Sequence, residues 1–163
     1  MSAGGVSGYA AISARVRAMY ASLLSAQDFS KLSEAPDFQS LIGQLKQTAY
    51  GPYLESLKDK DLTPRKVDLQ IKGRLADSYN SVIHIAPEQT RPLLKQLYRY
   101  FEVGNLKAVL RGIVTDPTWD HVHEVLFPLG SMSVLPAQAM IESGSIASAV
   151  ELLNGTVYEE TLN

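Results

Sequence analysis

The segment TPRKVDLQIKGRLADSYNSVIHIAP, residues 63–87, decides the fold class. It opens on Thr63, whose hydroxyl can cap a helix, followed by Pro64 at the first helical position, where a missing N–H costs nothing. Val67, Ile71, Leu75, Tyr79, Val82 and Ile83 then recur at spacings that place them on one stripe. Ala86-Pro87 closes the run, because a proline pushes the residue before it out of the helical region. Nothing here alternates with the period of two that a half-buried strand requires. The spacing predicts one long helix.

The same grammar extends in both directions. Upstream, Ile12, Val16, Met19 or Tyr20, and Leu23 mark the buried face of a helix beginning near Tyr9. Asp37 stands as N-cap before FQSLIGQLKQ, which should bury Phe38, Leu41, Ile42 and Leu45. Gly51-Pro52 interrupts that pattern and restarts a short helix with Tyr53 and Leu54 inward. Downstream, a helix opening after Pro87 carries Leu93, Leu94, Leu97, Tyr98 and Phe101, with Pro92 tolerated in or near its first turns. Thr115-Asp116-Pro117 breaks it, TWDHVHEVLF resumes as a short helix, and PLGS closes at residues 128–131. The expected fold is all-α.

Composition narrows the function classes. The 163 residues suffice for one sizeable core or two small ones. Fifteen Lys and Arg against seventeen Asp and Glu give a net charge of -2, which argues against nucleic acid held by a dominant basic surface. The chain has no cysteine, so disulfides and thiolate metal sites are absent, as suits a reducing compartment. No apolar run approaches the roughly 18–20 residues of a membrane span. MSAGGVSGY lacks the layout of a secretory signal, and residues 1–7 read as a flexible lead-in to a cytosolic protein.

The chain also repeats itself. TAYGPYLE, residues 48–55, returns as TVYEETLN, residues 156–163, both reading Thr-x-Tyr-x-x-x-Leu. Leu24–Leu54 aligns with Met132–Leu162 at one constant offset and without gaps. Identities fall at Ser25/Ser133, Glu34/Glu142, Ser40/Ser148, Leu45/Leu153, Thr48/Thr156, Tyr50/Tyr158 and Leu54/Leu162. Leu32/Met140, Phe38/Ile146 and Ile42/Val150 keep the hydrophobic register, so duplication explains the match better than chance likeness of two amphipathic helices.

Four phrases in order carry a resemblance to a known family: ARVRAM (14–19), T-x-YGPYL (48–54), NLK-x-x-LRG (105–112) and PLG (128–130). From about Tyr9 to the end, the chain closely resembles the C subunit of prokaryotic A-type/V-type rotary ATPases, whose family includes the d subunit of the eukaryotic V-ATPase. The resemblance implies three related helical lobes in a pseudo-threefold funnel. Residues 8–127 would form the first lobe and 128–163 the beginning of a second, truncated one. The chain would then be the N-terminal portion of a longer protein, although a damaged reading frame or a naturally short homologue would read the same. Gly104 departs from the family pattern, where this position is more often polar or acidic. A mid-helix glycine predicts either a kink or a stop, with Asn105 as a new N-cap.

The resemblance further implies a coupling part rather than a catalyst. Its partners would be the central-shaft subunits and the membrane proteolipid ring, and its place the cytoplasmic side of the membrane. Proton or sodium transport would be coupled to ATP hydrolysis or synthesis elsewhere in the complex. The alternative is a helical repeat adaptor that binds other proteins. Candidate interface residues are Arg15 and Arg17, which flank the first helix's apolar stripe, and Lys107 and Arg111, four apart on one face. Each set reads more blandly as a solvated flank or an internal ion pair.

Enzymatic readings find little support. Asp120, His123 and Glu124 would share a helical face, but no second ligand pair accompanies them, so they read as surface charge. His84 reads as a capping or packed histidine near a helix end. There is no G-x-x-x-x-G-K-[ST] phosphate loop, no catalytic triad assignable by spacing, and no cofactor motif. Finally, Leu135, Met140, Ile141, Ile146, Val150, Leu153, Val157 and Leu162 need burial worth on the order of 10 kcal/mol together. Residues 131–163 should therefore fold back on the first lobe or pair with the same segment of a second chain, and the two-chain contact is the expected one.

Overall fold

A computed structural model describes residues 4–58, 62–115 and 118–162, and every regular element among them is helical. The all-α reading holds. Asp116 and Pro117, the centre of the expected break, lie outside the described residues. The chain divides into two packing units, residues 1–96 and 97–163.

The first unit holds α1 (Gly4–Ala21), α2 (Ala26–Ser33), α3 (Phe38–Lys46), α4 (Gly51–Leu54), α5 (Pro64–Ile85) and the opening of α6 (Arg91–Thr115). Local signals start these helices. Ser25 and Asp28 form a reciprocal capping box on α2, the Asp37 carboxylate accepts from the Ser40 N–H on α3, and the Thr63 hydroxyl accepts from the Lys66 N–H on α5. The Ser25 hydroxyl holds the Asp28 carboxyl below its ordinary range, and the Ser40 amide does the same for Asp37. Ile42, Leu45, Leu54 and Val67 form the core, with Leu32, Phe38, Leu41 and Ile71 packed against it. Gly51 is buried where α4 turns back on α3, and a Cβ there would fall on the Lys46 carbonyl oxygen. Only glycine fits that approach.

α1 departs from expectation. The helix ends at Ala21, before Leu23, which is 53% exposed, and Val16 stays 44% exposed because α1 rests on α5 and reaches no deeper core. Two polar links fasten it: the Tyr9 hydroxyl meets Thr90 Oγ1 at 3.0 Å, and Arg15 Nε donates to Ser81 Oγ at 3.1 Å. α1 is already helical at Gly4, within the stretch expected as lead-in, and residues 1–3 lie outside the described residues. Leu75, expected on the buried stripe of α5, is exposed as well; Ala76 is buried instead.

The second unit comprises most of α6, α7 (Trp119–His123), a 3-10 turn (Gly130–Met132), α8 (Ala137–Glu142), α9 (Ile146–Glu151) and α10 (Glu159–Leu162). Helix α6 runs unbroken through Gly104. Asn105 is not a cap: its buried amide donates to the Phe127 carbonyl at 2.8 Å and accepts from the Phe127 N–H at 2.7 Å. Leu106, Val109, Val122 and Leu126 of the α6–α7 region pack directly against Met140, Ala149, Leu153 and Tyr158. Of the two expected arrangements, folding back is the one the single chain forms. The late segment folds back within its own chain, because α6 and α7 offer an apolar surface that needs covering.

Candidate docking surface

The two copies of the repeat build the same local frame. In each, an N-cap oxygen accepts the amide three residues on: Ser40 N to Asp37 at 2.7 Å, and Ser148 N to Ser145 at 3.1 Å. In each, the threonine hydroxyl donates back to a leucine carbonyl, Thr48 to Leu45 at 2.7 Å and Thr156 to Leu153 at 2.6 Å. It also accepts from the tyrosine amide, Tyr50 or Tyr158, at 3.2 Å. The Thr-x-Tyr phrase is thus a turn that closes one helix and aims a tyrosine ring inward.

The polar anchor beyond each ring differs. Over Tyr50 lies the Arg74 guanidinium, 4.1 Å from the ring centre, and its Nη2 donates to Ser22 Oγ and the Ser22 carbonyl at 2.7 and 3.0 Å. Tyr158 instead donates its hydroxyl to Glu102 at 2.9 Å. Glu102 is a carboxylate 1% exposed, and it also accepts from the Ser133 hydroxyl and the Val134 amide, with Arg99 Nε at 3.6 Å. Burial first, then the bond to Glu102, pushes the Tyr158 phenol far above its ordinary value. Tyr53 is shifted upward for similar reasons, burial and its 2.9 Å bond to Asp77.

Arg15 and Arg74 share a cleft of about 590 Å³, walled by Val16, Met19, Leu23 and Leu75. Arg17 is exposed and does not line it. Lys107 and Arg111 stand exposed on α6, and among the described residues no acidic side chain pairs with either. His84 is exposed rather than packed; Arg91 takes the capping role, donating to the Ala86 and His84 carbonyls at 2.8 and 3.3 Å. His123 lies against the Trp119 ring, and no cluster of three metal-type ligands forms among the described residues.

Arg74 and Glu102 were not singled out from sequence. The available signal was a charged residue in line with inward-facing positions: Arg74 in the buried to half-buried run Val67, Ile71, Arg74, Ser78, and Glu102 in the buried run Tyr98, Glu102, Asn105, Val109.

A family model described as "ATP synthase (C/AC39) subunit" matches residues 12–163. The chain belongs to that family. It is 34% identical over 157 residues to the A-type ATP synthase C subunit of Pyrococcus horikoshii, a match covering 94% of this chain and 40% of that protein. The corresponding protein of Methanocaldococcus jannaschii is 27% identical over 94% of this chain and 39% of its own length. The chain therefore spans about 40% of the length of these curated relatives. No solved structure matches it significantly.

Proposed function

We propose that the chain acts as a coupling element of a rotary A-type/V-type ATPase, on the cytoplasmic side of the membrane between the rotor shaft and the proteolipid ring. Membership of the ATP synthase (C/AC39) family, over residues 12–163, is the observation that carries this reading. In it the chain catalyses nothing and binds no nucleotide; it transmits torque so that proton or sodium movement and ATP turnover stay linked. The architecture suits the task. Torque demands parts that do not yield, and close-packed helices with capped ends deform little. The two copies of the repeat are corresponding parts of two homologous lobes, 8–127 and 128–163, in this reading. Arg15, Arg17, Lys107 and Arg111 are its docking cations. No described helix is long and apolar enough to cross a membrane, which is compatible with a peripheral seat.

Disruption of the gene in its own host tests the proposal. Membranes should lose ATP-driven ion pumping while ATP hydrolysis by the catalytic head persists, and re-expression of the chain should restore pumping. Unchanged pumping would overturn it, as would saturable heat on titrating the isolated chain with magnesium-ATP.

A further inference from the structure

Helix α6 has two seams of alternating three- and four-residue spacing, set back to back. One is inside: Tyr98, Glu102, Asn105, Val109 and Gly112 are all buried. The other is outside: Leu97, Tyr100, Gly104, Lys107, Arg111 and Val114 are all exposed, with Leu97 at 56%, Tyr100 at 78% and Val114 at 74%. At about 100° per residue the two sets centre roughly half a turn apart. A surface helix needs only one apolar stripe. The second stripe has the spacing by which one helix seats another, and it extends about 26 Å at 1.5 Å per residue.

Its sequence order specifies the occupant. Large apolar groups stand at the two ends, a glycine with no heavy atom within 4 Å of a Cβ position lies between, and the cations Lys107 and Arg111 follow one turn apart. Two like charges four residues apart repel, and no acid of the described residues offsets them. A second copy, parallel or antiparallel, would bring four cations into one seam and supply no acid from it. We infer that the outer seam of α6 docks a helix of another protein of the complex, with acidic side chains three or four residues apart opposite Lys107 and Arg111 and a bulky side chain over Gly104. This rests on the reading of the chain as part of a multisubunit ATPase, and it names the face and the chemistry of one contact.

The test places a photoreactive amino acid at Tyr100, or at exposed Gln39 as control, in the chain expressed in its own host. The adduct is then sequenced. From Tyr100 it should map to a helical segment of a different protein with Asp or Glu spaced three or four apart. Lys107→Glu with Arg111→Glu should cut its yield at least tenfold, and reversing the partner's acids should restore it. Circular dichroism should stay unchanged, since both cations are exposed. An adduct with a second copy, with the remainder of a longer form of this protein, or with a segment lacking acids overturns the inference; so does a yield indifferent to charge reversal. Pumping that depends on the chain while any of these results holds would leave the coupling proposal standing.

Discussion

Tyr50 and Tyr158 occupy the same place in the repeat, yet removing their hydroxyls should have unequal effects. The Tyr158 hydroxyl donates to Glu102 at 2.9 Å, with the two residues 7% and 1% exposed. A hydrogen bond to a charged group contributes roughly 1.5–3 kcal/mol. Among the described residues, Tyr158→Phe leaves that carboxylate oxygen with only Arg99 Nε at 3.6 Å, so a loss of about 2 kcal/mol is expected. Tyr50 is held by its ring beneath Arg74, and its hydroxyl has no hydrogen bond among the described residues. Tyr50→Phe should therefore lose less than about 0.5 kcal/mol, the ordinary range for changes that touch no such feature. With two packing units a single unfolding transition cannot be assumed, and local amide exchange is the better assay. Tyr158→Phe should speed exchange of the Ala149 and Leu153 amides about thirtyfold and leave Leu41 unaffected. Equal losses in the two variants, or a loss below about 0.5 kcal/mol in Tyr158→Phe, would refute the reading of Glu102 as the polar anchor of Tyr158.

Alkaline pH probes the same pair. The folded state keeps the Tyr158 proton at pH values where an unfolded phenol has lost it, so stability should fall as pH rises past about 10, and Tyr158→Phe should flatten much of that slope in denaturant titrations; Tyr53 contributes in the same direction. Gly51→Ala drives a methyl group onto the Lys46 carbonyl and should cost about 1–3 kcal/mol, read by local amide exchange. Gly104→Ala lies mid-helix with open space around it, and should stabilise the chain by about 1 kcal/mol in the same assay.

Sequence alone revealed what depends on neighbours along the chain. Thr63-Pro64, Asp37 and Ala86-Pro87 set helix boundaries through bonds spanning three or four residues, and the structure places those boundaries where the residues indicate. Burial was less legible. Val16 and Leu23 have the right spacing for a core stripe, but periodicity shows which residues share a face and not what covers it. Gly104 misled for a related reason: its cost of about 1 kcal/mol is small beside the burial of Tyr98, Leu106 and Val109 on the same helix, so tertiary packing carries α6 through. Asn105 looked like a cap because asparagine favours caps. Its side chain instead imitates a backbone pair for Phe127, twenty-two residues away, which no local pattern announces.

The two copies of the repeat separate these levels within one molecule. Everything the copies share is bonded within a few residues: the N-cap, the threonine turn and the short helix after the tyrosine. What differs is bonded at long range, with Arg74 over one tyrosine and Glu102 beneath the other. Glu159 stands where the first copy needs Gly51, so the second short helix tolerates a side chain that the first cannot. Local bonds travel with a duplicated segment because both partners are copied together. Long-range anchors do not, since each copy meets different neighbours and its buried polar atoms must be satisfied by whatever stands there. A charge inserted in a buried stripe is therefore the place to look for what distinguishes one copy from the other, and Arg74 and Glu102 are where substitutions should affect one unit without the other.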